Sequence, residues 1–220
     1  TDQDTPNLDA LLKEYGISVT EGTVMEGSSD HYLPNYPYYL LPDINYSDYT
    51  SDVSSRYVLL PFSQGMTQVM SETEAEESDT GLNYESFLTT SDQAYSKVNM
   101  DSQNLEMEEG DIAGPFDLGV VVTKAIDGEE DTEDSREAKL VVFASETLLD
   151  GQTDAMVSGG NSALFMNVVS QLVDHESTVS IEAKSMAVTY LTVTAGSAIF
   201  WGLLTVLILP LFLLILGGVI

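Results

Sequence analysis

The run from Ser185 to Ile220 carries no charged side chain, and from Gly196 it reads GSAIFWGLLTVLILPLFLLILGGVI. No other feature limits the fold as strongly. A stretch this apolar suits lipid, where every backbone polar group must be bonded within the segment and a helix does this unaided. At about 1.5 Å per residue, residues 197–220 make roughly 36 Å of helix, against a hydrocarbon core of about 30 Å. The chain is therefore expected to divide into a polar domain over 1–185, a juxtamembrane segment over 186–196 and a transmembrane helix over 197–220. A C-terminal span is not a signal peptide. Residue 1 is Thr and no leader precedes it, so the chain is expected to start inside a longer precursor, with an aqueous tail following Ile220.

Charge sets what the polar part can meet. The sequence has 36 acidic and 7 basic residues, a net charge of −29, and all of them precede Ser185. Nucleic-acid binding needs stripes of Lys and Arg on phosphate, so no nucleic-acid partner is expected. Docking onto an anionic lipid surface is disfavoured for the same reason. Basic residues mark cytoplasmic flanks, and residues 185–195 contain none, which predicts residues 1–190 outside the cytoplasm. With no cysteine, the chain forms no disulfide, thiolate metal site or Cys nucleophile.

Periodicity organises the polar part. Residues 6–20 read as a helix leading into a strand: Leu8, Leu11, Leu12 and Tyr15 share a helical face, Asn7 can cap it, Gly16 ends it, and Ile17 and Val19 then alternate. Residues 28–55, rich in Tyr, Pro, Ser and Asp, read as an irregular loop. Residues 56–62 (RYVLLPF) form a buried-strand run and residues 87–90 a short strand. LGVVVT at 118–123 and KLVVFA at 139–144 are β-branched strands, with a surface hairpin loop between them. Residues 161–173 read as a helix with Leu164, Val168 and Leu172 on one face, Ala163 beside them and Asn161 as the cap. Helices interleaved with continuous apolar strands predict an α/β layered fold. Because the chain opens on a helix, an upstream part of the sheet is expected.

The chemistry-bearing residues are sparse. His31 lies in a Tyr-rich stretch and reads as a packing residue. His175 follows a helix, where a histidine favours the dipole. A Ser–His–Asp set could be drawn from His175 with Ser170, Ser177 or Asp174, but no G-x-S-x-G frame supports it. Asp127, Glu129, Glu130, Asp131, Glu133 and Asp134 have oxygen ligands for Ca²⁺ without the EF-hand spacing, so this run and the acidic run at 71–79 read as solvated loops binding no metal. Beyond the strand KLVVFA, Ser145, Glu146, Ser158, Gly159, Gly160 and Asn161 would occupy the rim where open α/β sheets hold ligands. Gly159-Gly160 before a helix could offer N–H groups to an anion, or simply make a tight helix start. No nucleotide loop is present and no cofactor is expected. Within the span, Gly202, Thr205, Pro210, Gly217 and Gly218 suit close packing against partner helices, and Pro210 should kink the helix.

Several stretches recur in a characteristic order: PNLDALLKEYGISVTEGTVMEG, SFLTTSDQAYSK, EEGDIAGPFDLGVVVTK, AKLVVFASETLLD, SGGNSALFMNVVSQLVDHES, SIEAKS and the Pro-bearing span. Over roughly residues 6–220 this series resembles the extracytoplasmic C-terminal region of the GldG-like family of gliding-motility-type ABC transporter auxiliary proteins. The resemblance implies a flavodoxin-like or glutamine-amidotransferase-like α/β domain without enzymatic residues. It also implies a bacterial cytoplasmic-membrane protein working with an ABC permease subunit and, through it, a cytoplasmic ATPase. Relatives carry a further upstream portion and a basic tail, which this sequence does not contain. The family supplies no catalytic residue to carry over and does not by itself imply gliding. The leading expectation is a non-enzymatic auxiliary transporter subunit whose partners are the permease and membrane lipid. The alternatives are a tail-anchored envelope hydrolase and a surface adhesin.

Overall fold

Strand LGVVVT is the element around which the domain is built. The computed structural model describes residues 5–69, 82–100, 104–126, 137–173 and 192–219. In chain order its elements are α1 (Pro6–Glu14), β1 (Ile17–Val19), β2 (Thr23–Met25), β3 (Tyr32–Leu33), β4 (Tyr36–Leu40), β5 (Asp43–Ile44), β6 (Leu60–Pro61) and β7 (Met66–Gln68). These are followed by β8 (Leu82–Thr89), β9 (Tyr95–Lys97), β10 (Ile112–Ala113), β11 (Asp117–Ala125), β12 (Glu137–Phe143), α2 (Gly151–Met156) and α3 (Gly160–Leu172). At the C-terminus α4 (Ala195–Leu203) continues through a π-helical stretch, Leu204–Ile208, into α5 (Leu209–Val219).

In the main six-stranded sheet, β11 has β8 along one edge and β12, with β7 at its end, along the other; β1 and β5 lie further out. The LGVVVT and KLVVFA runs pair as expected, from Gly119 opposite Phe143 to Ala125 opposite Glu137. Two three-stranded sheets, β10-β9-β2 and β3-β4-β6, complete the domain. Every pairing among the described strands is antiparallel. This departs from the flavodoxin-like or amidotransferase-like expectation, which implies a parallel sheet with helical crossovers. Continuous apolar strands report only that both faces are covered, not which way the strands run. Here both faces are covered. Leu118 and Val121 join Phe87, Leu88, Leu164 and Val168 in one core, whereas Val120 and Val122 meet Leu12, Ile17 and Met66 in another. Leu118 and Val121 share a face because the register slips at Gly119, where a bulge breaks the strict alternation. A Cβ on Gly119 would sit 2.7 Å from the Phe87 ring, so the close approach of β11 to Phe87 requires glycine.

Helix α1 forms where expected, with Pro6 in its first turn and Gly16 at φ +69° beyond its end, but Thr5 rather than Asn7 is the cap residue. Leu12 is buried, while Leu8 and Leu11 stay exposed. The 28–55 stretch is not wholly irregular: it contains β3, β4 and β5, with Asn35 at φ +70° turning β3 back onto β4. Proline and clustered tyrosines obscure that hairpin, since β4 has no clean in–out alternation. The acidic runs 71–79 and 127–134 lie outside the described residues.

Ala195–Gly217 is the one helix among the described residues long and apolar enough to cross a membrane; its most apolar 18-residue stretch has a mean hydropathy of 2.8 and none of that stretch is buried in the domain. The π-helical stretch falls just before Pro210. Proline cannot donate to the carbonyl one turn back and crowds it, and here Leu209 N–H donates to Leu204 O, five residues back. The start of the helix is seated on the domain. Thr192 Oγ1 donates to Met156 O at 2.8 Å, Gly196 N–H donates to Ser29 O at 2.9 Å, and Thr194 and Ala195 are buried. A Cβ on Gly196 would displace the exposed Asp30 side chain, whose carboxylate lies close against the start of the helix.

Candidate functional site

Three of the six rim residues converge on the 57–61 segment, and what they form is a bracket. Asn161 is 0% exposed. Its Oδ1 accepts from Leu59 N–H at 2.8 Å, and its Nδ2 donates to Leu59 O at 2.8 Å and Leu148 O at 2.9 Å. The side-chain amide thus stands in for a neighbouring strand at Leu59, which lies just before β6 and outside its ladder with β4. Asn161 is not the helix cap expected of it; that position belongs to Gly159, at φ +82°. A Cβ on Gly160 would collide with Tyr57 O, so α3 can press against this backbone only with glycine there. Ser145 Oγ donates to Pro61 O at 2.6 Å. Ser158 turns the chain at φ +55° and Glu146 faces solvent. The anion position at the start of α3 is filled from within: Asp154 accepts from Ser162 N–H at 2.9 Å and Ser162 Oγ at 2.6 Å. The Gly-Gly pair therefore makes a tight helix start.

A polar row runs beside β5. His31 has Nδ1 3.0 Å from Ser28 Oγ and Nε2 3.2 Å from Asp43 Oδ1. A hydroxyl, a base and a carboxylate in line are the parts of an activated nucleophile. Two features set this row apart from a protected triad. Ser28 and His31 are the ends of one turn, closed by His31 N–H donating to Ser28 O, and the Asp43 side chain is 60% exposed. Glu26 lies behind the row, accepting from Ser91 Oγ at 2.5 Å and Ser91 N–H at 3.2 Å. Burial pushes its carboxyl above the usual range, against the opposing pull of the Ser91 and Ser28 donors and of His31. A cavity of about 440 Å³ opens nearby, lined by Asp43, Thr90, Ser91, Asp92 and Asp117 among others. Asp117 is engaged by the Tyr84 hydroxyl at 2.7 Å. From sequence only His31 of this row stands out; the i, i+3 spacing of Ser28 and His31 is the one local signal of the rest.

Residues 99–115 read as merely polar from sequence, yet Glu106, Glu108 and Asp111 close over a buried charge. The Lys97 side chain is 1% exposed and its ammonium donates to Glu106 O and Glu108 Oε2 at 2.8 Å and to Asp111 Oδ2 at 3.1 Å. Asp111 also accepts from Val98 and Glu108 N–H. Burial disfavours the Lys97 ammonium, but its two carboxylate partners outweigh this and hold it charged above its ordinary range. Each of the three ammonium donors is matched, so the network ties residues 104–111 to Lys97 and offers no open coordination.

Of the other residues considered from sequence, Ser170 is exposed on α3, while Asp174, His175 and Ser177 lie outside the described residues. In the C-terminal helix, Thr205 Oγ1 donates back to Trp201 O at 2.8 Å, which satisfies the hydroxyl in an apolar setting. A Cβ added to Gly202 or Gly217 would meet nothing within 4 Å, and Pro210 and Gly218 lie in α5. Among the described residues no three His, Cys, Asp or Glu side chains are grouped to hold a metal. No known protein family matches the chain, and no curated protein or solved structure is significantly similar to it.

Proposed function

We propose that the chain is a non-enzymatic auxiliary subunit of a bacterial ABC transporter. Its residues 1–190 face outward from the cytoplasmic membrane, and its C-terminal helix packs on the permease, which links it to the cytoplasmic ATPase. The observation that carries this proposal is the seating of the helix on the domain through Thr192, Thr194, Ala195 and Gly196. A plain tether needs no such seating. A helix fixed to its domain carries a displacement of one to the other, which suits a subunit that couples a permease to something outside. The ordered resemblance of the sequence to transporter auxiliary proteins supports the same conclusion. Close packing in lipid depends on backbone approach, so Gly202, Thr205 and Pro210, with Gly217 and Gly218 beyond them, are the residues assigned to the permease contact. Replacing the span with polyleucine of equal length tests this: membrane retention should persist while co-purification of permease and ATPase is lost. Undiminished co-purification would reduce the helix to a tether.

The Ser28–His31–Asp43 row favours a second reading, a membrane-anchored envelope hydrolase. Ester hydrolysis by the purified chain that disappears in Ser28→Ala would establish it and displace the first.

A further inference from the structure

A cavity of about 660 Å³ lies where the β3–β4 hairpin, the end of α2 and the residues leading into α4 meet. Leu33, Tyr36, Tyr39, Ala155, Met156 and Val193 form most of its wall, and among the described residues that line it none is charged. In a chain of net charge −29 this is a conspicuous gap in the charge. The volume falls in the range of sites for small apolar ligands, roughly 300–1,000 Å³. Aromatic surface extends it outward: Tyr36 packs on Tyr38 and Tyr39, and exposed Phe62 stacks on Tyr38 at 4.9 Å.

Position identifies the occupant. Val193 precedes the first helical residue, Ala195, by two residues, so the cavity wall lies within about 7 Å of chain from the start of the helix. The headgroup layer of a bilayer is about 5–8 Å deep on each side, taking a total of about 40–45 Å and a hydrocarbon core of about 30 Å. The bonds from Thr192 to Met156 and from Gly196 to Ser29 keep the cavity at that depth. Tyrosine favours this layer, with its ring toward hydrocarbon and its hydroxyl toward water. We propose that the groove takes an acyl chain of a membrane lipid from the leaflet on the domain side, and that this lipid carries a neutral or zwitterionic headgroup. The acidic domain repels anionic headgroups, and the uncharged lining offers nothing to hold one. This proposal rests on α4–α5 spanning the bilayer.

The test uses the full chain in phosphatidylcholine vesicles with or without bromine on the acyl chains, which quenches tryptophan fluorescence on contact. The sequence has one tryptophan, Trp201, and its native fluorescence reports the helix. Tyr39→Trp in a Trp201→Phe background reports the groove, and Tyr36→Trp repeats the measurement at a more exposed position. Bromolipid should quench position 39 about as strongly as it quenches Trp201, and adding Ala155→Leu, which narrows the groove, should reduce the quenching. Quenching at Trp201 but not at position 39 would overturn the proposal and leave the membrane span standing. Aqueous iodide quenching position 39 instead would mean a wet groove. Quenching by neither agent would mean that the chain's own residues fill it. Loss of bromolipid quenching at Trp201 as well would remove the membrane span and the lipid site together, and quenching indifferent to Ala155→Leu would place the probe on the surface rather than over a bound chain.

Discussion

Two apolar stretches of this chain, β11 and the C-terminal helix, reach opposite environments. Along β11, Leu118 to Val122 are enclosed by protein on both faces, by Phe87 and α3 on one and by α1 and β7 on the other. Along α4–α5, nearly every side chain from Ile199 to Leu216 remains exposed, and beyond the seated first turn the domain buries none of them. Both are equally poor surfaces for water. The difference is length: a strand of nine residues can be covered by neighbouring elements of one domain, whereas a helix of about 35 Å finds its match in a bilayer. Substitutions that remove packing should therefore be costly in the first region and silent for domain stability in the second.

The largest effect is expected at Phe87, which is fully buried and meets Phe143 edge-on at 5.6 Å. Phe87→Ala should cost about 3–5 kcal/mol in denaturant unfolding, the usual range for an aromatic core truncation. Asn161→Ala comes next, at about 3 kcal/mol, since it strands the buried N–H and C=O of Leu59 and the C=O of Leu148, each worth about 1–3 kcal/mol when unpaired. Gly119→Ala forces a methyl toward the Phe87 ring and should cost about 1–3 kcal/mol. Leu214→Ala, in the exposed helix, should leave domain unfolding unchanged within about 0.5 kcal/mol. A loss at Leu214 as large as that at Phe87 would break the contrast between the two regions.

A smaller effect concerns pH. Glu26 has its folded pKa raised, chiefly by burial, so the folded chain holds this proton more tightly than the unfolded one. Its contribution to stability is complete below the ordinary carboxylate range and is lost as pH rises through the raised folded value. Asp111 behaves oppositely. Burial raises its pKa, but the Glu108 and Val98 amides and Lys97 outweigh this and lower it. Its contribution is present above the ordinary range and is lost as pH falls through the lowered value. Glu26→Gln should therefore flatten the decline in stability on the alkaline side of the carboxylate range and leave the acid limb intact. Denaturant midpoints measured across pH would show it.

How far the sequence reveals these features depends on how local they are. The β11–β12 pair, α1, α3 and the long apolar C-terminal helix are legible because each is a continuous run, and a hairpin or helix is decided over neighbouring residues. The direction of the sheet is not legible, because apolar strands covered on both faces look alike whichever way they run. The short hairpin from Tyr32 to Leu40 is hidden by Pro37 and by tyrosines that pack on one another instead of alternating. Asn161 and Lys97 escape for a different reason. The partners of Asn161 at Leu59 are 102 residues away, and those of Lys97 lie in a loop whose composition looks merely solvated. The position of the 660 Å³ groove beside the C-terminal helix likewise emerges only when the hairpin, the end of α2 and the residues leading into α4 are brought together.

The proposal that the domain faces water outside the cytoplasm while the C-terminal helix lies in lipid can be measured directly, because the chain contains no cysteine. Cysteine can be placed singly at exposed Glu146 in the domain and at exposed Leu213 in the helix, and intact spheroplasts then treated with a membrane-impermeant maleimide. Glu146→Cys should be labelled without permeabilisation, while Leu213→Cys should stay unlabelled until detergent is added. Labelling of Glu146→Cys only after permeabilisation would reverse the orientation, and free labelling of Leu213→Cys in intact spheroplasts would contradict a helix held in lipid.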